Sequence, residues 1–315
     1  MRCYRLTFEA PFHVDSRGND FYEESNSFIH SDTLSAAILA TWALIWPEQI
    51  AKQAQHPSFR ISSAFPFYRN CYFLPRVLSS LATSPKQSKD AKKLKKIQWL
   101  DSNLWHESLT DPDWAERIDL KNDVCQSVLA STSTKLPEKL WVEEERPRLA
   151  IDRIDNQAAE SLIFNFSRIW FDKKGGLYFL AVFNDESSRR QFETALHILG
   201  DSGIGADRTS GNGCFTWTAG QVPDLQLAEQ GESVTLSLVN PDPGDCQTGW
   251  LEGSAYKLVS RGGWIGNTGL RKKRLRMFSE GSVFSRPLQG RVVDVSTNAT
   301  QSVFRDGRGF FVQPR

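Results

Sequence analysis

The chain has 315 residues, 40% of them hydrophobic and 24% charged. That supplies a sizeable core, excludes global disorder and suits two domains of ordinary size. With 38 Lys and Arg against 37 Asp and Glu, the formal net charge is only +1, so a uniformly basic nucleic-acid binder is excluded and any basic surface must be local.

In chain order, Tyr4, Leu6 and Phe8 alternate with Cys3, Arg5 and Thr7, which predicts a half-buried strand. A polar loop follows. Ser31 or Asp32 can then cap a helix carrying Leu34, Ala37, Ile38, Trp42 and Ile45 on one face, with Pro47 marking its end. Short strands are expected around Phe59–Ser63 and Cys71–Leu74. This order suits a ferredoxin-like or RNA-recognition-motif domain over residues 1–148. Within it the pattern weakens over 77–147, which reads as an insertion. Lys89, Lys92, Lys93 and Lys96 there would share one helical face, most simply a solvated one.

A second unit is expected over 149–315. Ser161–Phe171 and Leu177–Phe183 read as strands joined by DKKGG, a hairpin signal. The second of these is apolar on both faces, as a central strand would be. A helix follows with Phe192, Ala195, Leu196 and Leu199 at helical spacing and Gly200 as its stop. Then comes GIGADRTSGNGCF, Gly203–Phe215. Its glycines, Gly203, Gly205, Gly211 and Gly213, surround Arg208, Thr209 and Ser210. Exposed backbone N–H groups with one arginine suit phosphates; a plain tight loop explains the glycines equally well. Neither a Walker loop nor a GxGxxG fingerprint is present. The last third reads as short strands. In Arg271–Phe278, Lys272, Arg274 and Arg276 would face one way, with Leu275 and Met277 on the other. Such a face suits a nucleic-acid backbone, or an edge strand protected by charge. The predicted class is α+β, two ferredoxin-like domains with a glycine-rich loop over 203–213 and an insertion.

The five cysteines, Cys3, Cys71, Cys125, Cys214 and Cys246, are scattered and form no CxxC pair. No zinc site, disulfide framework or cofactor is indicated. The first residues read as a strand rather than a signal peptide, and no apolar run is long enough to span a bilayer. A soluble cytoplasmic protein without membrane contact is expected.

Several segments together resemble the RAMP proteins of CRISPR systems, and in particular the Csm-type fourth subunit of type III-A effector complexes, a Cas-five-like branch. They are PFHVDSRGNDFYEESNSFIHSDTLSAAI (Pro11–Ile38), ISSAFPFYRNCYFLPR (Ile61–Arg76), the glycine stretch, YKLVSRGGWIG (Tyr256–Gly266), RKKRLRMFSEGSVF (Arg271–Phe284) and VFRDGRGFFV (Val303–Val312). They occur in the family's order over nearly the whole chain. One departure stands out. The family loop commonly reads glycine-glycine-basic where this chain has Ala206 and Asp207. A carboxylate repels phosphate, so two roles are open for Asp207: pairing with Arg208, or facing a protein neighbour.

The resemblance implies a non-catalytic RNA-binding subunit of an antiviral interference complex. It would grip the 5′ handle of crRNA, contact the Cas-ten large subunit and a backbone RAMP subunit, and meet target RNA only indirectly. The implied RNA contacts are Gly203, Gly205, Arg208, Thr209, Ser210, Gly211 and Gly213, with His13, Arg17, His30 and Ser31 from the first domain and Arg261, Trp264, Lys272, Arg274 and Arg276 from the last third. Ten Trp and 20 Phe supply platforms on which single-stranded bases stack.

Catalytic readings compete with this one. Histidine is the usual base for metal-independent RNA cleavage, and His30 lies where processing RAMP endonucleases can carry one. Asp152 and Asp155, or Glu143–Glu145, are the dense carboxylates that metal-dependent cleavage of target RNA would need; no metal-ligand spacing supports them. His197 sits at core periodicity. An architectural subunit that touches protein but little RNA is a further alternative, allowed by the low net charge.

Overall fold

β1 (Arg2–Phe8) keeps the alternation of its sequence. Tyr4 and Leu6 are buried, and Tyr4 meets the Phe192 ring at 5.7 Å. On the opposite face Arg5 lies 4.1 Å over the Phe67 ring. The computed structural model describes residues 1–15, 22–78, 94–111, 114, 118–119, 122–131, 135–151, 158–266, 268–297 and 302–314, with 149–151, 158–163 and 314 described by backbone alone. Arg17, Lys89, Lys92, Lys93, Asp152 and Asp155 lie outside the described residues.

After β1 come α1 (Ser31–Ile45), α2 (Ile50–Gln55), β2 (Phe59–Ile61), β3 (Phe65–Tyr68), β4 (Cys71–Pro75), β5 (Trp99–Asp101), α3 (Ser102–Thr110), β6 (Val124–Cys125), β7 (Val128–Leu129), β8 (Trp141–Ile151), β9 (Ala158–Phe171), β10 (Gly175–Phe183), α4 (Glu186–Ser202) and β11 (Phe215–Gly220). The main sheet runs β11-β1-β10-β3-β4-β5-β7-β6, with β2 also on β10. β1 pairs antiparallel with β10 and β11, and β10 with β3. Thus β1, α1, β3, β10, α4 and β11 form a strand–helix–strand–strand–helix–strand path. β10 is fully paired, which suits its two apolar faces. Trp42 of α1 and Phe192 of α4 are both fully buried, with Phe59 between them. Each such side chain contributes about 1.5–3 kcal/mol by burial.

This topology corrects the expected organisation. The boundary at 148/149 falls inside β8. β10, α4 and β11 from beyond it complete the sheet begun by β1. Residues 77–147 are no detached insertion either, because β5, β7 and β6 extend that sheet from β4. β9 pairs with β8 over nearly its whole length rather than with β10. Both edges of β10 are already taken, so the turn at Asp172–Gly175 joins two different sheets instead of closing a hairpin. α4 also outruns its expected stop. Gly200 lies inside the helix, and it is glycine because a Cβ there would stand 2.4 Å from the Phe215 carbonyl oxygen. The helix ends at Gly203, whose φ of +78° suits glycine.

The C-terminal unit holds β12 (Leu225–Leu227), β13 (Ser233–Thr235), β14 (Leu258–Arg261), β15 (Leu275–Phe278), β16 (Val283–Phe284), β17 (Gly290–Asp294), β18 (Phe304–Arg308) and β19 (Phe311–Pro314). These form a sheet β12-β19-β13-β16 and the pairs β14-β15 and β17-β18. Among the described residues beyond Gly220 there is no α-helix, so a second complete unit of the first kind is not built from 149–315. Val239, Phe278, Phe284, Leu288 and Phe311 form a small core of its own.

The unit docks on the start of α1 through buried polar contacts. Ser31 Oγ accepts from Leu238 N at 3.0 Å, and Ser35 Oγ donates to Asp306 at 3.1 Å. Neither Ser31 nor Asp32 caps the helix: His30 is the N-cap, and both side chains are buried inside the first turn, engaged by the C-terminal unit.

Candidate nucleic-acid interface

The glycine loop is stitched to the strap after β1. Ala206 N donates to His13 O at 2.9 Å, and Gly213 N to Pro11 O at 2.8 Å. Ile204 N donates to Gly213 O at 3.0 Å. A Cβ at Gly205 would stand 2.2 Å from His13 O, and one at Gly213 2.0 Å from Ile204 O. Close approach of backbones therefore explains these glycines. The N–H groups of Gly203, Gly211 and Gly213 are already used inside the protein, which corrects the expectation of an open backbone cradle. Arg208 is instead the loop's available cation. It opens a 3-10 turn, Arg208–Ser210, is exposed, and has no side-chain partner among the described residues.

Asp207 does not pair with Arg208. Its Oδ2 accepts from Arg148 of β8, from Ser210 Oγ at 2.5 Å and from Asn212 Nδ2 at 2.9 Å. Its backbone is left-handed, with φ 60°. The Arg148 guanidinium holds its carboxyl below the usual range against the opposing effect of burial. Arg148 also lies 4.6 Å over the Phe166 ring. A basic residue here would repel Arg148; the acidic one neutralises it and anchors the loop to the β8–β9 hairpin.

Beside the loop lies a cleft of about 500 Å³ between α1 and the C-terminal unit. Of the sequence-predicted residues, His13, Gly203, Gly205, Arg208, Arg261, Trp264 and Lys272 line it. Four separate segments thus meet at one place. Thr209, Ser210, Gly211 and Gly213 belong to the same loop but do not line the cleft. Arg274 and Arg276 are exposed outside it, because regular pairing with β14 begins only at Leu275 and Lys272 is bonded to Gly263 O instead. His30 and Ser31 are buried and do not line this cleft. Ser31 is spent on Leu238, and His30 Nδ1 donates to Glu280 Oε1 at 2.8 Å.

The cleft's back wall is a buried ion cluster that sequence reading missed. Arg261 Nε and Nη2 donate to Asp32 at 2.9 and 3.1 Å, and Arg305 donates to Asp32 Oδ2. Burial pushes the Asp32 carboxyl up, but the two guanidiniums outweigh it and hold it well below the ordinary range. Arg305 Nη2 donates to Gly262 O at 2.6 Å, while its buried Nε has no partner. Two arginines on one carboxylate leave an excess of positive charge. Lys272 adds to it, although burial and Arg305 lower the pKa of its ammonium. Arg271 lies 4.5 Å over the Trp264 ring, and Trp264 is 38% exposed.

His13 supplies a different function. Its ring is 1% exposed, and burial holds its pKa below the ordinary value. Nδ1 donates to Ser167 O at 2.7 Å. In the neutral ring this makes Nε2 an acceptor, and it is buried without a partner among the described residues. Such an acceptor suits a hydroxyl or base N–H rather than a phosphate. Among the described residues no cluster of His, Cys, Asp and Glu could hold a metal ion, and no helix is long and apolar enough to cross a membrane.

Comparison with known proteins gives one consistent likeness. Residues 228–313 match the family model of the CRISPR Csm4 C-terminal domain, nearly the span of the C-terminal unit. Csm4 of Mycobacterium tuberculosis (strain CDC 1551 / Oshkosh) is 27% identical over 319 residues, covering 99% of this chain and 97% of that protein. Csm4 of Thermococcus onnurineus (strain NA1) is 28% identical over 234 residues, covering 71% and 69%. Among solved structures, a Csm3–Csm4 subcomplex of the type III-A CRISPR-Cas interference complex matches with TM-score 0.67 at 18% identity, over 99% of both chains. A Csm1–Csm4 cassette in complex with cA4 matches with TM-score 0.61 at 20% identity, over 99% of this chain and 97% of that one. These last two carry the likeness of fold. With a C-terminal domain that matches this family model over residues 228–313 and relatives aligned almost end to end, the chain is similar to CRISPR Csm4 proteins along nearly its whole length.

Proposed function

We propose that the chain is the RNA-binding subunit of a cytoplasmic type III-A Csm complex, holding the 5′ handle of crRNA without cleaving it. Its first unit is then a ferredoxin-like domain assembled from residues 2–220, and its second a strand-rich unit that closes the RNA cleft. The partners are a Csm1-type large subunit and a Csm3-type backbone subunit, as in the solved complexes of similar proteins. The observation that carries the reading is the convergence of Arg208, Arg261, Lys272 and Arg305 with Trp264 and the His13 acceptor on one cleft. Cations hold phosphates, an aromatic ring stacks a base, and a neutral imidazole accepts from a ribose hydroxyl.

The non-catalytic part of the reading rests on His30 and on the carboxylates. His30 is tied to Glu280 away from the loop cleft. Glu143 and Glu144 accept from Ser167 and Arg168. Co-expression with a Cas-ten subunit and crRNA should give a co-purifying complex; a stable RNA-free monomer indifferent to both would sink the reading. Precursor crRNA and target RNA should survive incubation with the protein, with and without Mg²⁺. Cleavage abolished by His30→Ala would instead establish a processing enzyme.

A further inference from the structure

A second cleft, of about 730 Å³, opens between the end of β4 with the start of β5 and the start of β14. It shares no lining residue with the first cleft. Its walls combine aromatic rings, unpartnered polar atoms and cations. Phe28 meets Trp99 edge to face at 5.0 Å and the His30 ring at 4.6 Å. Trp99 is 3% exposed, and its Nε1 is a buried donor without a partner among the described residues. Buried donors in that state are rare and point to a missing acceptor. His30 is 6% exposed, and its Nδ1 is fixed on Glu280. That leaves Nε2 as the ring nitrogen available to the cleft.

Arg76, Lys95 and Lys257 supply positive charge to the same walls. Glu280, the one acidic group among the described lining residues, offsets only one of these three charges. Burial pushes its carboxyl up, but the His30 ring and the Ser63 hydroxyl outweigh this and hold it below the ordinary value. The volume is in the range of sites for ligands of nucleotide size.

We propose that this second cleft binds a nucleoside monophosphate unit, with the base against Phe28 and the phosphate on Lys95 and Lys257. Trp99 Nε1 donates to the base or ribose. His30 Nε2 accepts from the base, or donates to the phosphate when the ring is charged. Two sources share this chemistry, a free mononucleotide and one unit of an RNA strand. The strand source has a physical route. Val259 lines the second cleft and Arg261 the first, on the same strand two residues apart, or roughly 7 Å along an extended chain.

The test uses the full chain with 5′-AMP, and separately with a short single-stranded RNA carrying 4-thiouridine. Lys95 and Lys257 are exposed, so the double variant Lys95→Ala/Lys257→Ala should fold. AMP binding measured by calorimetry should weaken about ten-fold in that variant, the loss expected from charge-assisted contacts. The same loss should appear when the double variant is made on an Arg208→Ala background, which removes a cation of the first cleft. Photo-crosslinks of the RNA should fall within 26–30 or 95–99 and vanish in the double variant. Crosslinks without AMP binding would assign the site to a strand, and AMP binding without crosslinks to a free nucleotide. Absence of both in the folded protein, or binding and crosslinks indifferent to the double variant, would overturn the proposal. Because Arg208→Ala reports on the other cleft, failure here is separable from failure of the handle reading.

Discussion

Asp32 and Asp207 are both aspartates held by arginine from a distant segment, yet they do different work. The Asp32 carboxylate is fully buried, with Arg261 7% and Arg305 8% exposed by side chain. Asp207 is 18% exposed and its partner Arg148 33%. The first pair system joins the C-terminal unit to α1 and forms the wall of a cleft. The second pins a surface loop to a hairpin. Burial decides the energetics: removing one member of a buried cluster strands the others without water, whereas a half-exposed pair is replaced by solvent at small cost.

The sharpest test of that contrast is Asp32→Ala. It leaves two buried guanidiniums without their anion and should destabilise the protein by about 3–5 kcal/mol in denaturant titration. A loss near that of a surface pair would mean that water already reaches the cluster. Next in size is Gly213→Ala. Its φ of +77° and its approach to Ile204 O predict a loss of about 2–4 kcal/mol. Gly211→Ala has a similar φ of +83° but nothing within 4 Å, so it should lose only about 1 kcal/mol. Equal losses at the two glycines would show that strain, not backbone packing, fixes the loop.

Arg208→Ala separates binding from folding. Handle-containing RNA should bind about 1–3 kcal/mol more weakly, with a shallower salt dependence and unchanged thermal stability. An unchanged salt slope in the folded variant would make the loop purely structural.

The smallest effect is expected at the anchor. Arg148→Ala should cost about 1 kcal/mol or less in stability at neutral pH, after allowance for solvent screening. The Asp207 carboxyl is lowered in the folded state, so its contribution is complete above the unfolded-state value near 3.8 and is lost as pH falls through the folded value. The stability gap between parent and Arg148→Ala should therefore close as pH drops below that value. A gap that persists in acid would assign the effect to Arg148 packing on Phe166 rather than to the ion pair.

The site was more legible than the architecture. The glycine loop marked Arg208 and the basic stretch marked Lys272, while the family resemblance supplied Arg261 and Trp264, and all four line one cleft. Asp32 was read as a helix cap because local rules place Ser, Thr, Asp and Asn at helix starts. The rule knows nothing of Arg261, 229 residues away. Arg305 stands next to Asp306 in β18, yet the carboxylate it serves is Asp32, 273 residues away, so its local neighbour did not signal its role.

Periodicity alone determined that a strand runs through Tyr4, Leu6 and Phe8, that the segments carrying Leu34–Ile45 and Phe192–Leu199 are helices with one apolar face, and that Leu177–Phe183 lies inside a sheet. These follow from the spacing of apolar side chains along a single element. Only the tertiary structure decided that β10 joins β1 rather than β9, that His30 turns to Glu280, and that Asp207 answers Arg148. Strand partners and buried ion pairs depend on which edges and charges remain unclaimed once the whole chain has packed. That is a property of the assembled core, and no local window of sequence contains it.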